Sequence, residues 1–157
     1  MKMEMDTVVR IPSSPLDPDW PTLPPEVLYG LAGDFVKIIG PHTESDPAAL
    51  LVQELVAFGN AVGWSPHFMA ERDRHGTNLF TVLVGQTSKG RKGTAWSHVK
   101  EQYERTDPQW AKNRIQAGLS SGEGLVFPVQ DGWVSGATGL PDKRLLVLER
   151  EFASVLR

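Results

Sequence analysis

The sequence predicts an α/β domain with a helical region ahead of its sheet, and three observations carry that prediction. The first is the apolar run Thr81-Val82-Leu83-Val84, which enters a glycine-bounded loop and then reaches a hydroxyl residue, Thr94, where a helix should begin. The second is Leu145-Leu146-Val147-Leu148, consecutive aliphatic residues that end in acids and read as a strand buried on both faces, as in a parallel sheet. The third is the spacing of apolar residues between positions 26 and 61, which follows a helical rather than a strand period.

The elements follow in order. Residues 1–25 hold Pro12, Pro15, Pro18, Pro21, Pro24 and Pro25 and read as a flexible, proline-rich leader, with residues 26–157 forming the folded part. A first helix is expected over 26–39, with Pro25 at its start, Leu28, Leu31, Ala32, Phe35 and Ile39 on one stripe, and Gly40 at its end. A second begins with Asp46 as N-cap and Pro47 in the first turn. It runs to about Ala61, and its apolar residues cover so much of its circumference that most of it should be buried. A strand over 66–70 and a polar turn over 71–76 should join the strand of Val82 to Val84 as a hairpin or paired edge. Beyond the loop, helices are expected over 94–104 and from Asp107-Pro108 to about Gln116. Residues 118–124, with three glycines and two serines around Glu123, read as a turn opening a short helix that Pro128 blocks. The glycine-containing run 129–142 reads as a loop, and 152–156 as a last helix after the strand.

The loop between Gly85 and Thr94 has the order of parts of a phosphate-binding loop. Glycines let the backbone fold around phosphates, loop N–H groups and a helix N-terminus point at them, and a lysine neutralises charge. The usual pattern would put the lysine directly after Gly90; here Arg91 stands there, then Lys92, and Gly93 separates it from Thr94. The other reading of this stretch is a strand-to-helix turn with solvent-facing basic residues. At the end of the aliphatic run, an acid can face the crevice above a parallel sheet, where ligands bind in open α/β folds. Were the strand to continue to Glu151, alternation would put Glu149 and Glu151 on one face, one for magnesium and one for an attacking water. The alternative is an ordinary buried strand whose acids cap the next helix. Glu123 has the same two readings, a water-polarising acid or a capping residue.

Composition narrows the rest. A net charge of −3 leaves no basic excess of the kind a DNA-binding domain carries, although Lys89, Arg91, Lys92 and Lys100 form a local cationic group. With no cysteine there is no disulfide, thiol nucleophile or cysteine-based zinc site, which fits the cytoplasm. No apolar stretch is long enough to span a membrane, and residues 1–10 lack a signal peptide's apolar core. His42, His67, His75 and His98 show no i, i+4 pairing for zinc, and no G-x-S-x-G elbow is present. Trp64, Trp96, Trp110 and Trp133 read as packing residues before base-stacking ones.

From about Leu23 to Arg157 the chain resembles the N-terminal part of a domain-of-unknown-function family of RecA-like P-loop ATPases, similar to plasmid and phage replicative helicases and primase-associated ATPases. The matching stretches are Thr77-Asn78-Leu79-Phe80 into Val82-Leu83-Val84-Gly85, Arg91-Lys92-Gly93-Thr94, Gly118-Leu119-Ser120-Ser121-Gly122-Glu123-Gly124-Leu125, and the segment from Lys143 through Leu156. The resemblance implies a partial RecA-like core, a mostly parallel sheet flanked by helices, that binds ATP and Mg2+. Gly85, Gly90, Arg91, Lys92, Gly93 and Thr94 would form the nucleotide loop, with Lys92 and Arg91 on the β and γ phosphates. Thr94 and Glu149 would hold magnesium, and Glu151 or Glu123 would orient the water. Family members extend further, with a sensor residue and an arginine finger, so the expectation is a truncated core that turns ATP over poorly by itself. Single-stranded DNA and replication proteins are the partners implied for the full-length protein, and a homo-oligomer is a further possibility. The alternatives are a nucleotide-binding remnant without activity and a mobile-element interaction module.

Overall fold

A computed structural model of the chain describes residues 22–85, 91–118, 122–130 and 142–151. The leader up to residue 21, Gly90 and the rest of 86–90, most of the 129–142 loop and the expected helix over 152–156 lie outside the described residues.

The first expected helix is two pieces. A 3-10 turn, Pro25–Val27, is followed by an α-helix, α1, Gly30–Ile39. Tyr29 is extended (φ −127°, ψ 164°) and Gly30 has φ +61°, so the chain changes direction between them. Gly33 then sits directly on the preceding turn, where an added Cβ would lie 2.3 Å from the Leu28 carbonyl carbon. Apolar spacing alone could not show this break, because Leu28 keeps the helical stripe on either side of it.

Helix α2, Pro47–Ala61, starts as its sequence requires. The Asp46 carboxylate accepts the Ala48 N–H at 2.7 Å, and Pro47 occupies the first turn. Ala49, Leu50, Gln53, Glu54 and Ala57 form its buried face, while Leu55 and Phe58 are exposed, so α2 is less enclosed than its composition predicts. It packs against α1 and against α3, Lys92–Thr106, which supplies Ala95, Trp96, Val99 and Tyr103 to the same core. Helix α3 begins two residues before the predicted start and ends at Thr106, followed by Asp107. That residue closes α3 through its N–H to the Tyr103 carbonyl and caps α4, Pro108–Asn113, by accepting the Trp110 N–H at 3.0 Å.

The sheets differ from expectation in one respect that bears on the site. Strands β1, His67–Ala70, and β2, Asp73–Gly76, form an antiparallel hairpin, with the second strand drawn from residues predicted as a turn. The reversal needs only Glu71 and Arg72, Glu71 taking a left-handed conformation (φ +55°). Residues 77–85, expected to supply that partner strand, belong to no strand. Leu83 packs against the core, while Phe80, Val82 and Val84 are exposed.

The aliphatic run does form a strand. It is β4, Leu146–Leu148, which pairs in parallel with β3, Ile115–Ala117, in the register Ile115↔Leu146, Gln116↔Val147 and Ala117↔Leu148. The helix predicted to reach Gln116 therefore stops at Asn113. Arg114 is the reason for the change of state. It is buried, and its guanidinium donates to the Arg144 carbonyl at 2.6 Å and the Pro128 carbonyl at 2.8 Å, which aligns the chain beside β4. The helical layer and this sheet are tied by Asn60, whose amide donates to the Leu145 carbonyl (2.9 Å) and accepts from the Trp110 indole (2.9 Å). The result is a mixed α/β arrangement with one parallel pair, in agreement with the fold class at that level.

Candidate functional site at the start of α3

Helix α3 begins at Lys92, so Lys92, Gly93 and Thr94 are its first turn. The residue before it, Arg91, is left-handed (φ 39°, ψ 32°) and contributes no side-chain cap. The first N–H groups of a helix lack intrahelical acceptors and lie at the positive end of the helix dipole. The Ala95 N–H, one position further on, is already bonded to the Arg91 carbonyl. Gln53 on α2 anchors the turn by donating to the Lys92 carbonyl at 3.2 Å.

The predicted residues are partly assembled here. Arg91, Lys92, Gly93 and Thr94 come together, Gly93 and Thr94 both exposed. A Cβ added at Gly93 would meet nothing within 4 Å, so the glycine between lysine and threonine relieves no crowding within the described structure. Gly85 is exposed at the near end of the loop. Arg91 has a protein partner, the carboxylate of Glu44, in an exposed ion pair. Pairs of this kind contribute little and exchange readily, so the guanidinium is not committed to Glu44.

The strand does not continue to the acids at 149 and 151. Strand β4 ends at Leu148, so no ladder enforces alternation as far as Glu151. The Glu149 carboxylate instead accepts the backbone N–H of Glu151 at 3.0 Å, and Glu151 is exposed. It is Leu148 and Arg150, the residues of the opposite parity, that line the cleft between the parallel pair and helices α3 and α4. Glu123 lies exposed in the first turn of α5, Gly122–Val126, a five-residue helix held beside β3 through Gln116, whose amide donates to the Gly124 carbonyl at 3.5 Å. Pro128 falls in the 3-10 turn that follows, as the sequence predicts. Among the described residues no three histidine, aspartate or glutamate side chains gather as a metal site.

Sequence reasoning missed a buried polar cluster behind α3. Glu54 is 1% exposed, and its Oε1 accepts from the Tyr103 hydroxyl and the Gln102 amide, each at 3.1 Å. Burial raises the Glu54 carboxyl above the ordinary glutamate range, and the two hydrogen bonds only partly offset it. Tyr103 is raised as well, by burial and then by the charge of Glu54. The signal was present, since Glu54 stands four residues after Leu50 and three before Ala57 on the buried stripe.

A second cluster is structural. Arg144 pairs with Asp142 (2.7 Å) and Asp107 (2.8 Å) and donates to the Ala61 carbonyl, which joins the ends of α2, α3 and α4 to the strand entry. Asp107 is held below the usual aspartate range by the Trp110 N–H and by Arg144, and Asp142 chiefly by its hydrogen bond to Arg144. No helix among the described residues is long and apolar enough to cross a membrane. Comparison of the chain with protein families, curated proteins and solved structures found no match.

Proposed function

We propose that this chain binds the phosphates of ATP at the start of α3, in the manner of the nucleotide loop of a replication-type, RecA-like ATPase. The observation that supports the reading is the helix start at Lys92, where Arg91 supplies no side-chain cap and an ammonium group, a glycine and the Thr94 hydroxyl share the first turn of a 15-residue helix. In this reading Lys92 faces the β and γ phosphates, and Arg91 joins it by leaving Glu44. Magnesium that arrives with a nucleotide keeps several waters and needs only one or two protein donors. Thr94 and Glu149 are the donors assigned to it, and their chemistry fits a hard cation. Glu151 and Glu123 are the candidates for orienting a water.

The reading is tested by titrating the chain with ATP and Mg2+ in a calorimeter. Lys92→Ala should weaken binding by about tenfold or more, the loss of one charge-assisted contact, whereas Lys89→Ala should leave it nearly unchanged. Equal affinities for the two variants would remove Lys92 from the site. A second reading, an interaction module, is favoured by one specific observation: Phe80 and Val84 are 93% and 86% exposed next to the same loop. No ATP binding in the calorimeter, together with capture of a partner through this segment, would support it.

A further inference from the structure

We propose that the cleft between helices α3 and α4 and the parallel pair β3–β4 binds a small organic anion, with its apolar body against Ile115 and Leu148 and its acid group held by Lys112 and Arg150. The cleft is open to solvent on one side and offers about 520 Å3, within the range of small-molecule sites. Its walls are apolar in the way such sites are: Trp96 from α3, Ala111 from α4, and the strand residues Ile115 and Leu148.

Charge decides the class of ligand. The cleft is lined by Lys100, Lys112, Arg150 and one acid, Glu104. Glu104 is matched by Lys100 at 3.2 Å along the helix, so that pair is locally neutral. Lys112 and Arg150 are left, and among the described residues neither forms an ion pair. They come from separate elements, the last turn of α4 and the residues just past β4, and both line the one cleft. Two cations over an apolar floor fit a molecule with a hydrocarbon or aryl body and a single carboxylate or phosphate, either of which an arginine binds in a fork. The cleft is distinct from the start of α3, since Lys100 lies eight residues beyond Lys92, about 12 Å along a helix. Glu149, assigned above to magnesium, is not among its lining residues, although Leu148 and Arg150 on either side of it are.

The test uses octanoate, with octyl phosphate as the alternative head group and 1-octanol and octylamine as neutral and cationic controls, followed by 1H–15N spectra of the full chain. Octanoate or octyl phosphate should shift the Trp96 indole and the amides of Lys112, Ala117, Leu148 and Arg150, and octylamine should not. Which of the two anions binds more tightly identifies the head group. The double variant Lys112→Ala, Arg150→Ala should bind the preferred anion about tenfold more weakly while its affinity for octanol is unchanged. Both residues are exposed, so the variant should keep the wild-type spectrum elsewhere. Equal affinity for octanol and both anions, undiminished anion binding by the double variant, or shifts confined to residues 91–94 would each overturn the proposal. Because the probes carry no nucleotide, failure here is distinguishable from failure of the ATP reading.

Discussion

At the scale of single residues, one buried cluster and one half-buried cluster give the chain opposite responses to pH. Glu54 has a folded-state pKa raised above its ordinary value, so the fold holds its proton where the unfolded chain has released it. Its contribution to stability is therefore fully present below the ordinary glutamate pKa and is lost as pH rises through the raised one. Asp107 and Asp142 have lowered pKa values. Their contribution is present above the ordinary aspartate pKa and is lost as pH falls through the lowered ones. Urea denaturation across pH should thus show a decline on the acid limb and a second decline above the glutamate range. Glu54→Gln should remove the second decline and leave the first, and an unchanged pH profile would show that Glu54 does not titrate in the fold. Arg144→Met should affect the acid limb instead, and should cost about 1–3 kcal/mol at neutral pH by leaving Asp107 and Asp142 without their partner. Denaturation of that variant at pH 7 measures the loss.

At the scale of elements, the junction of α2 with the hairpin rests on a glycine. A Cβ at Gly59 would lie 2.0 Å from the Thr77 carbonyl oxygen, and the Thr77 hydroxyl donates to the Gly59 carbonyl at 2.9 Å. The clash is with backbone, so it cannot be relieved by a side-chain rotation. Gly59→Ala, otherwise favourable in a helix interior, should destabilise by about 1–3 kcal/mol. A midpoint in denaturant equal to or above that of the wild type would show that residues 77–85 can shift without cost. The same contact helps to explain why residues 77–85 are not the second strand of the hairpin. Thr77 is fastened to α2, and β1 is already paired along its described length by 73–76.

At the scale of the whole molecule, large apolar side chains lie outside the core between residues 79 and 84, with Leu83 alone among them packed inward. Leu79, Phe80, Val82 and Val84 are all at least half exposed on backbone that belongs to no strand. Exposed apolar side chains on backbone without a sheet partner favour association. Sedimentation velocity should show a mass that grows with concentration, and the double variant Phe80→Ser, Val84→Lys should hold the chain nearer the monomer. A single concentration-independent species for the unmodified chain would contradict this. Nucleotide titrations are therefore best made at several protein concentrations.

Local chemistry was legible in the sequence wherever a few neighbouring residues carry the cause. Asp46-Pro47 starts α2, Asp107-Pro108 starts α4, and Leu146-Val147-Leu148 forms a strand, because capping, fixed proline φ and consecutive β-prone aliphatics act within one turn or strand. The basic, glycine-flanked entry to α3 was legible for the same reason. What the tertiary structure decided depends on contacts distant in sequence. Residues 115–117 are a strand because Arg114 and Leu146 align them beside β4, across about 30 residues of chain. Glu54 is a core residue because Gln102 and Tyr103 supply donors to it from another helix. Leu148 and Arg150, and not Glu149, line the cleft because pairing with β3 turns that parity of β4 toward α3 and α4. Period and propensity describe which states a segment favours, but burial and long-range hydrogen bonds choose among them, and those exist only once the chain has folded.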